Sequence, residues 1–212
     1  MASFNLHCSD CPRLATFLAG VRKRYPDYHS RPVEPFGDNK ARLLVVGLAP
    51  GMHGANRSGR PFTGDYAGIL LYQTLYKYGF ASAPESVATD DGLKLLNCRI
   101  TNAVKCLPPE NKPTGQEAKT CNRYLRTELE DLPKNSVVLA LGSIAHSSVL
   151  RAHDLTLSAH KFAHGAVHRL NEHRILLDSY HCSRYNTQTR RLTPKMFQTV
   201  FQKAREILDT KP

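Results

Sequence analysis

Leu43-Leu44-Val45-Val46-Gly47-Leu48-Ala49-Pro50-Gly51, continued by Met52-His53-Gly54-Ala55-Asn56-Arg57-Ser58-Gly59-Arg60-Pro61-Phe62-Thr63-Gly64-Asp65, decides how the chain is read. Four consecutive apolar residues closing on a glycine read as a strand buried on both faces, the kind found in parallel sheets. The glycines beyond it let the backbone turn sharply and come close to a ligand. Phe62 offers a flat face, Asn56 and Arg57 offer donors, and Asp65 offers charge. A loop of this make-up after a buried strand suits the floor of a nucleobase pocket, without yet specifying a reaction.

Outward from this stretch, helical and strand patterns alternate. Residues 12–24 carry Leu14, Phe17, Leu18 and Val21 on one helical face. Residues 25–40, with three prolines, read as a connecting loop. Asp65 or Thr63 is placed to cap a helix that carries Ile69, Leu70 and Leu75 to about residue 78. A second strand is expected at 99–104, followed by the proline-rich 108–113 loop. Thr114 and Glu117 form a capping-box pair that opens a helix to about residue 129. A third strand at 137–141 precedes a helix at 143–151, and a fourth strand falls at 175–178. Thr193 and Pro194 start a last helix with Phe197, Val200, Phe201, Ala204, Ile207 and Leu208 at helical spacing. The alternation predicts an α/β fold with a mainly parallel sheet. Ligands of such sheets sit beyond the carboxyl ends of the strands. The loops there, 47–65, 106–113 and 180–193, hold the chain's unusual residues, which predicts one site.

The chain has 212 residues, enough for one domain with a sizeable core. Lysine and arginine outnumber aspartate and glutamate 29 to 18, a net charge of +11 that favours a polyanionic partner such as DNA or RNA. Plain solubility is the alternative. No window reaches a transmembrane length of apolar residues, and the N-terminus lacks the basic and apolar regions of a secretory signal. The expectation is an intracellular protein of the bacterial cytoplasm, a monomer with no membrane partner. Six cysteines in that setting read as metal ligands or free thiols, not disulfides.

Cys8 and Cys11 are separated by two residues, Cys106 and Cys121 by fourteen. Two thiolate pairs can close a tetrahedral zinc site or hold an iron–sulfur cluster, and four buried thiols without a metal are a third reading. A zinc ribbon repeats a short knuckle twice, and the second pair is too wide for one. The spacing leans toward the bulkier cluster and leaves zinc open. Cys98 and Cys182 read as non-ligands.

Cys8-Ser9-Asp10-Cys11-Pro12-Arg13-Leu14, the 47–65 loop, Thr101-Asn102-Ala103-Val104-Lys105-Cys106 with Pro108-Pro109, and His181-Cys182-Ser183-Arg184-Tyr185-Asn186-Thr187-Gln188-Thr189 carry a family likeness. Together they resemble the iron–sulfur uracil-DNA glycosylases, specifically the type B or family 5 branch, and they span nearly the whole chain in order. The resemblance implies a three-layer αβα sandwich around a four-stranded parallel sheet, as a single domain over residues 1–212. It implies a 4Fe-4S cluster on Cys8, Cys11, Cys106 and Cys121. It implies excision of uracil, and of other deaminated bases such as hypoxanthine, from DNA. Elsewhere in the superfamily the loop after the first strand carries an acidic or amide side chain beside its proline. Leu48 and Ala49 stand there in this chain. That loss is typical of the type B branch and moves the acid to Asp65. Cys182 stands where related sequences usually have proline.

The resemblance gives each candidate a role. Phe62 stacks the flipped base and Asn102 pairs with its edge, with Ala49, Gly51 and His53 as further pocket residues. His181 stabilises the departing anionic base, and Asp65 holds a water or faces the cationic sugar. Blander roles stand beside these: core packing for Phe62, a turn cap for Asn102, a helix cap for Asp65. Asn56, Arg57, Arg60, Ser183, Arg184, Tyr185 and Asn186 are the expected DNA contacts, with Arg184 and Tyr185 as a wedge. Lys105, Lys112 and Lys119 are expected to add charge to the same face. Two rivals remain: the same fold with hypoxanthine or another damaged base as main substrate, and a non-enzymatic iron–sulfur DNA-binding module.

Overall fold

In the computed structural model, which describes residues 4–210, the run Leu43–Gly47 is a central strand with every residue buried. The strands in chain order are β1 (Phe36–Gly37), β2 (Leu43–Gly47), β3 (Cys98–Asn102), β4 (Ser136–Leu141), β5 (Val167–Asn171) and β6 (Arg174–Ser179). They form one sheet in the order β1-β3-β2-β4-β6-β5. Strands β3, β2, β4 and β6 pair in parallel, which is the expected four-stranded core. Strands β1 and β5 pair antiparallel along its two edges, so the sheet is mixed and six-stranded, not four-stranded. Both additions carry weak sequence signals. β1 has two residues directly after Pro35, and β5 buries only Leu170.

The helices are α1 (Pro12–Arg24), α2 (Ala55–Ser58), α3 (Tyr66–Lys77), α4 (Gly115–Glu130), α5 (Ser143–Ala152), α6 (Arg184–Gln188) and α7 (Pro194–Asp209). Successive strand residues point to opposite faces, and both faces are apolar. Leu43, Val45, Leu139 and Leu177 pack under Leu71 and Leu75 of α3 and Phe197 and Phe201 of α7. Leu44, Val46, Val138 and Leu176 pack on Leu125 and Leu129 of α4 and Val149 and Leu150 of α5. Helices on both faces of the sheet give the three-layer αβα sandwich.

Local signals fix the helix starts. Asp65 caps α3 by accepting from the Gly68 N–H, Thr114 and Glu117 form the capping box of α4, and Thr193 with Pro194 opens α7. Each cap is worth about 1 kcal/mol. Among the described residues, no helix is long and apolar enough to cross a membrane.

Candidate active site

A cavity of ≈ 430 Å³ opens beyond the carboxyl ends of β2, β3 and β6. Phe62, Asp65, Asn102 and His181 line it, together with Leu48, Ala49 and Gly51. Three separate loops therefore deliver the chemistry to one place, where an open parallel sheet puts its ligands. Asn111, from the loop after β3, also reaches the wall and was not singled out in the sequence.

Phe62 is 6% exposed and has φ +56°, and its ring lies 5.9 Å from that of His181 at 27°. A bulky residue in the left-handed region costs roughly 1–3 kcal/mol, so its surroundings must hold it there. Tyr72 Oη donates to Pro61 O at 2.8 Å and Ser58 Oγ donates to Thr63 O at 3.2 Å, pinning the residue on each side. Gly47 completes this floor. A Cβ there would meet Phe62 Cζ at 2.6 Å and Asn102 Oδ1 closer still, so only glycine lets the three meet at the strand end.

Asn102 is buried, and its Oδ1 has no hydrogen-bond partner. An unsatisfied buried acceptor costs roughly 1–3 kcal/mol, and a ligand N–H arriving in the cavity would relieve that cost. The amide can accept and donate at once, as the edge of a pyrimidine requires.

His181 is half-buried, and burial pushes its pKa down to about 4. It is neutral at pH 7 and offers an N–H donor without charge. Its carbonyl accepts from Asn186 Nδ2 at 2.8 Å. Asn186 therefore ties the His181 backbone in place through one amide N–H.

Asp65 serves two ends at once. Its Oδ1 accepts from Gly68 N at 2.9 Å, while its side chain lies against the cavity beside Gly51 and Gly54. A Cβ at Gly54 would come within 2.5 Å of Oδ2. Burial raises the carboxyl pKa, with the Gly68 and Ala67 N–H groups pulling it back. Capping and facing the cavity thus coincide in one side chain.

Several expected contacts lie elsewhere. His53 is exposed and outside the cavity wall, its Nδ1 2.9 Å from Tyr28 Oη and its ring edge-on to Tyr25. Asn56 is fully buried on the inner side of the one-turn α2, its Nδ2 3.5 Å from Met52 O, and presents nothing to DNA. Arg60 is 5% exposed and pairs with Asp91 at 2.8 Å, which makes it a strut for the 86–91 loop. Lys105 is 1% exposed, its Nζ 2.6 Å from Glu128 Oε1, because α4 packs a carboxylate over the end of β3. Arg57, Arg184 and Tyr185 are exposed, Tyr185 by 70%, and Ser183 caps α6. Exposed Tyr66 and Val87, with Ile69, which the helical pattern reads as packing and which is 56% exposed, extend this rim with apolar surface.

Cys8, Cys11, Cys106 and Cys121 line one recess with Leu14, Val104 and Tyr124, below the start of α1 and beside α4. None of the four is paired in a disulfide. Burial, then the other thiols nearby, push Cys11 up to about 11 and Cys106 up to about 12. A donor set of this kind is held as thiolate by positive metal. Among the described residues, the ligand atoms that converge within 4.8 Å of one another belong to His146, His168 and Asp178. The four cysteine sulfurs do not form such a group. Cys98 and Cys182 are buried in the core under α3 and α7, away from this recess.

Residues 34–205 match the family model of the uracil DNA glycosylase superfamily. The chain is 49% identical over 205 residues to the type-5 uracil-DNA glycosylase of Thermus thermophilus, covering 94% of this chain and 93% of that one. It is 42% identical over 203 residues to the type-5 uracil-DNA glycosylase of Pyrobaculum aerophilum, covering 94% and 88%. A type-4 uracil-DNA glycosylase of Archaeoglobus fulgidus matches at 33% over 135 residues, 63% of this chain and 60% of its own.

Proposed function

The chain belongs to the type-5 branch of the uracil-DNA glycosylase superfamily, and from that premise we propose that it excises uracil from DNA by hydrolysing the N-glycosidic bond, the first step of base excision repair. One observation carries the reading to named residues. Phe62, Asn102, Asp65 and His181 line a single cavity, and Asn102 carries a buried Oδ1 that lacks a partner.

The base must leave the duplex before its bond can be reached. The net charge of +11 draws the phosphate backbone in, and exposed Arg57 and Arg184 sit at the rim to hold it. Tyr185 or Arg184 fills the gap left in the stack. In the cavity Phe62 takes one face of the base. Asn102 Oδ1 accepts from N3–H and its amide donates to O4.

The C1′–N1 bond then breaks with its electron pair going to N1, leaving negative charge on the base and positive charge on the sugar. His181, being neutral, donates to the base oxygen where charge grows; such a donor is worth roughly 10²–10³ in rate. Asp65 offers a carboxylate to the cationic sugar and orders the water that adds to C1′. Its burial makes it a stronger base than a solvated aspartate, so it accepts the water proton, which ends on N1 of the free base.

In this reading Cys8, Cys11, Cys106 and Cys121 hold a 4Fe-4S cluster; their meeting in one recess supports a metal-binding quartet, and the wide Cys106–Cys121 spacing favours the bulkier cluster over a single zinc. Bound there, the cluster supplies a cross-link between α1 and α4 and no electron for hydrolysis. Four iron atoms per chain and broad visible absorbance are expected of the purified protein. Zinc in their place would overturn the assignment. Apolar Leu48 and Ala49 in the wall leave the pocket less discriminating, so hypoxanthine is a second substrate. The protein is taken to act as a monomer inside the cell.

Labelled duplexes carrying uracil, hypoxanthine or no lesion, followed by alkaline cleavage, test the reading. Scission at uracil, weaker scission at hypoxanthine and none on the undamaged strand are expected. Stronger scission at hypoxanthine would reverse the substrate order. Tight binding without scission at any lesion would return the DNA-binding module.

A further inference from the structure

Asp178 lies on β6 with no exposed surface, three residues before His181, and carries two imidazoles. His146 Nδ1 of α5 is 2.9 Å from its Oδ1, and His168 Nε2 of β5 is 3.1 Å from its Oδ2. All three ligand atoms lie within 4.8 Å of one another. None of the three residues lines the base cavity. We propose that His146 Nδ1, His168 Nε2 and an Asp178 oxygen form a binding site for a divalent first-row cation such as zinc.

The chemistry around the site supports this. The separations of 2.9–3.1 Å are hydrogen bonds to Asp178, a few tenths of an ångström shorter than the edges of about 3.3–3.4 Å that nitrogen and oxygen ligands keep on a tetrahedral ion, so the three atoms open slightly as the cation replaces the protons between them. A ligating histidine normally gives its other ring N–H to a carbonyl or carboxylate, which fixes its orientation. His146 does so already, its Nε2 donating to His160 O at 2.8 Å, and this leaves Nδ1 as the ligand atom. The His160 ring stands 5.8 Å from that of His168 and shelters the site, its Nδ1 bonded to Thr156 O at 3.0 Å. Two imidazoles and a carboxylate suit zinc or ferrous iron and not calcium or magnesium.

The site also has a structural consequence. The segment bearing His160, Phe162 and His164 packs on the strand exit that leads to His181. His164 Nδ1 accepts from Tyr180 N at 3.1 Å and its ring stacks on that of Tyr180 at 5.1 Å. A cation bridging α5, β5 and β6 would clamp that exit.

The test uses the full chain with its cluster in place, freed of loose metal by a chelator and desalting. Zinc chloride is then titrated by calorimetry, and the zinc edge is read by X-ray absorption. One saturable site per chain is expected, with nitrogen and oxygen scatterers at about 2.0–2.1 Å and imidazole outer shells. His168→Ala and His168→Gln should each weaken binding at least tenfold. Zinc at a hundredfold excess over Kd should raise the Tm by roughly 5–10 °C in the wild type and not in the variants. No saturable binding, sulfur scatterers near 2.3 Å, or wild-type affinity in a folded His168 variant would overturn the site.

Discussion

Replacing Gly47 by alanine tests the floor of the cavity with one methyl group. Gly47 ends β2, a strand buried throughout, and its φ lies outside the left-handed region, so alanine is conformationally allowed there. Space is what it lacks. The new Cβ would sit 2.6 Å from Phe62 Cζ and 2.8 Å from Cε2, against carbon contacts of about 3.5–4.0 Å, so something must move by about 1 Å. The strand is fixed by pairing on both sides, and the residues that yield are Phe62 and Asn102. Overpacking of this kind costs roughly 1–3 kcal/mol, or about 2–12 °C of Tm. A 1 Å displacement of groups that orient the substrate costs about 100-fold in rate. Single-turnover excision from a uracil duplex and a thermal melt read the two effects. Val46→Ala is the control, since Val46 packs into the opposite layer with α4 and α5. It should lower Tm without a comparable loss of excision. Full excision by folded Gly47→Ala protein would show that Phe62 and Asn102 do not orient the base.

Asp65→Asn keeps the oxygen that caps α3, so its stability should stay within about 1 kcal/mol of wild type while single-turnover excision falls at least roughly 100-fold; an undiminished rate would leave Asp65 as a cap only. His181 has a folded pKa depressed to about 4 from an ordinary value near 6.5, so it contributes stability that is present above pH 6.5 and lost as pH falls through 4. The contribution is on the order of 3 kcal/mol, and denaturant titrations of wild type against His181→Gln should converge by that amount between pH 7 and pH 4; a gap independent of pH would mean a solvated imidazole. Arg60→Ala should destabilise by about 3–5 kcal/mol, because it strands Asp91, whose carboxyl Arg60 and three backbone N–H groups hold at about 2 against its burial. A loss under 1 kcal/mol in urea would make that pair a surface contact.

The central strands were legible because a strand buried on both faces needs an unbroken apolar run, and 43–46 and 137–141 have one. Helix starts were legible for a similar reason: Asp65, Thr114 and Thr193 are side chains that satisfy free N–H groups within three residues of themselves. Edge strands β1 and β5 need no such run and left only weak signals. At the cavity, Phe62, Asn102, Asp65 and His181 stood at loop positions the topology brings together. Facing was not legible. Asn56 and Arg57 are neighbours in the same short turn, yet one is enclosed and the other exposed. Lys105 and Arg60 read as solvent-facing cations because their partners, Glu128 and Asp91, are 23 and 31 positions away and meet them only in the fold. The His146, His168 and Asp178 group was hidden in the same way, each residue coming from a different element.

The most direct measurement is of the released base itself. Enzyme in excess is mixed with a duplex containing one uracil, and the free base is quantified by mass spectrometry alongside the intact strand. First-order release of one uracil per duplex, leaving an unbroken strand with an abasic site, is the predicted result. A strand that stays fully uracil-containing at saturating enzyme, or one cut without free uracil, would contradict it.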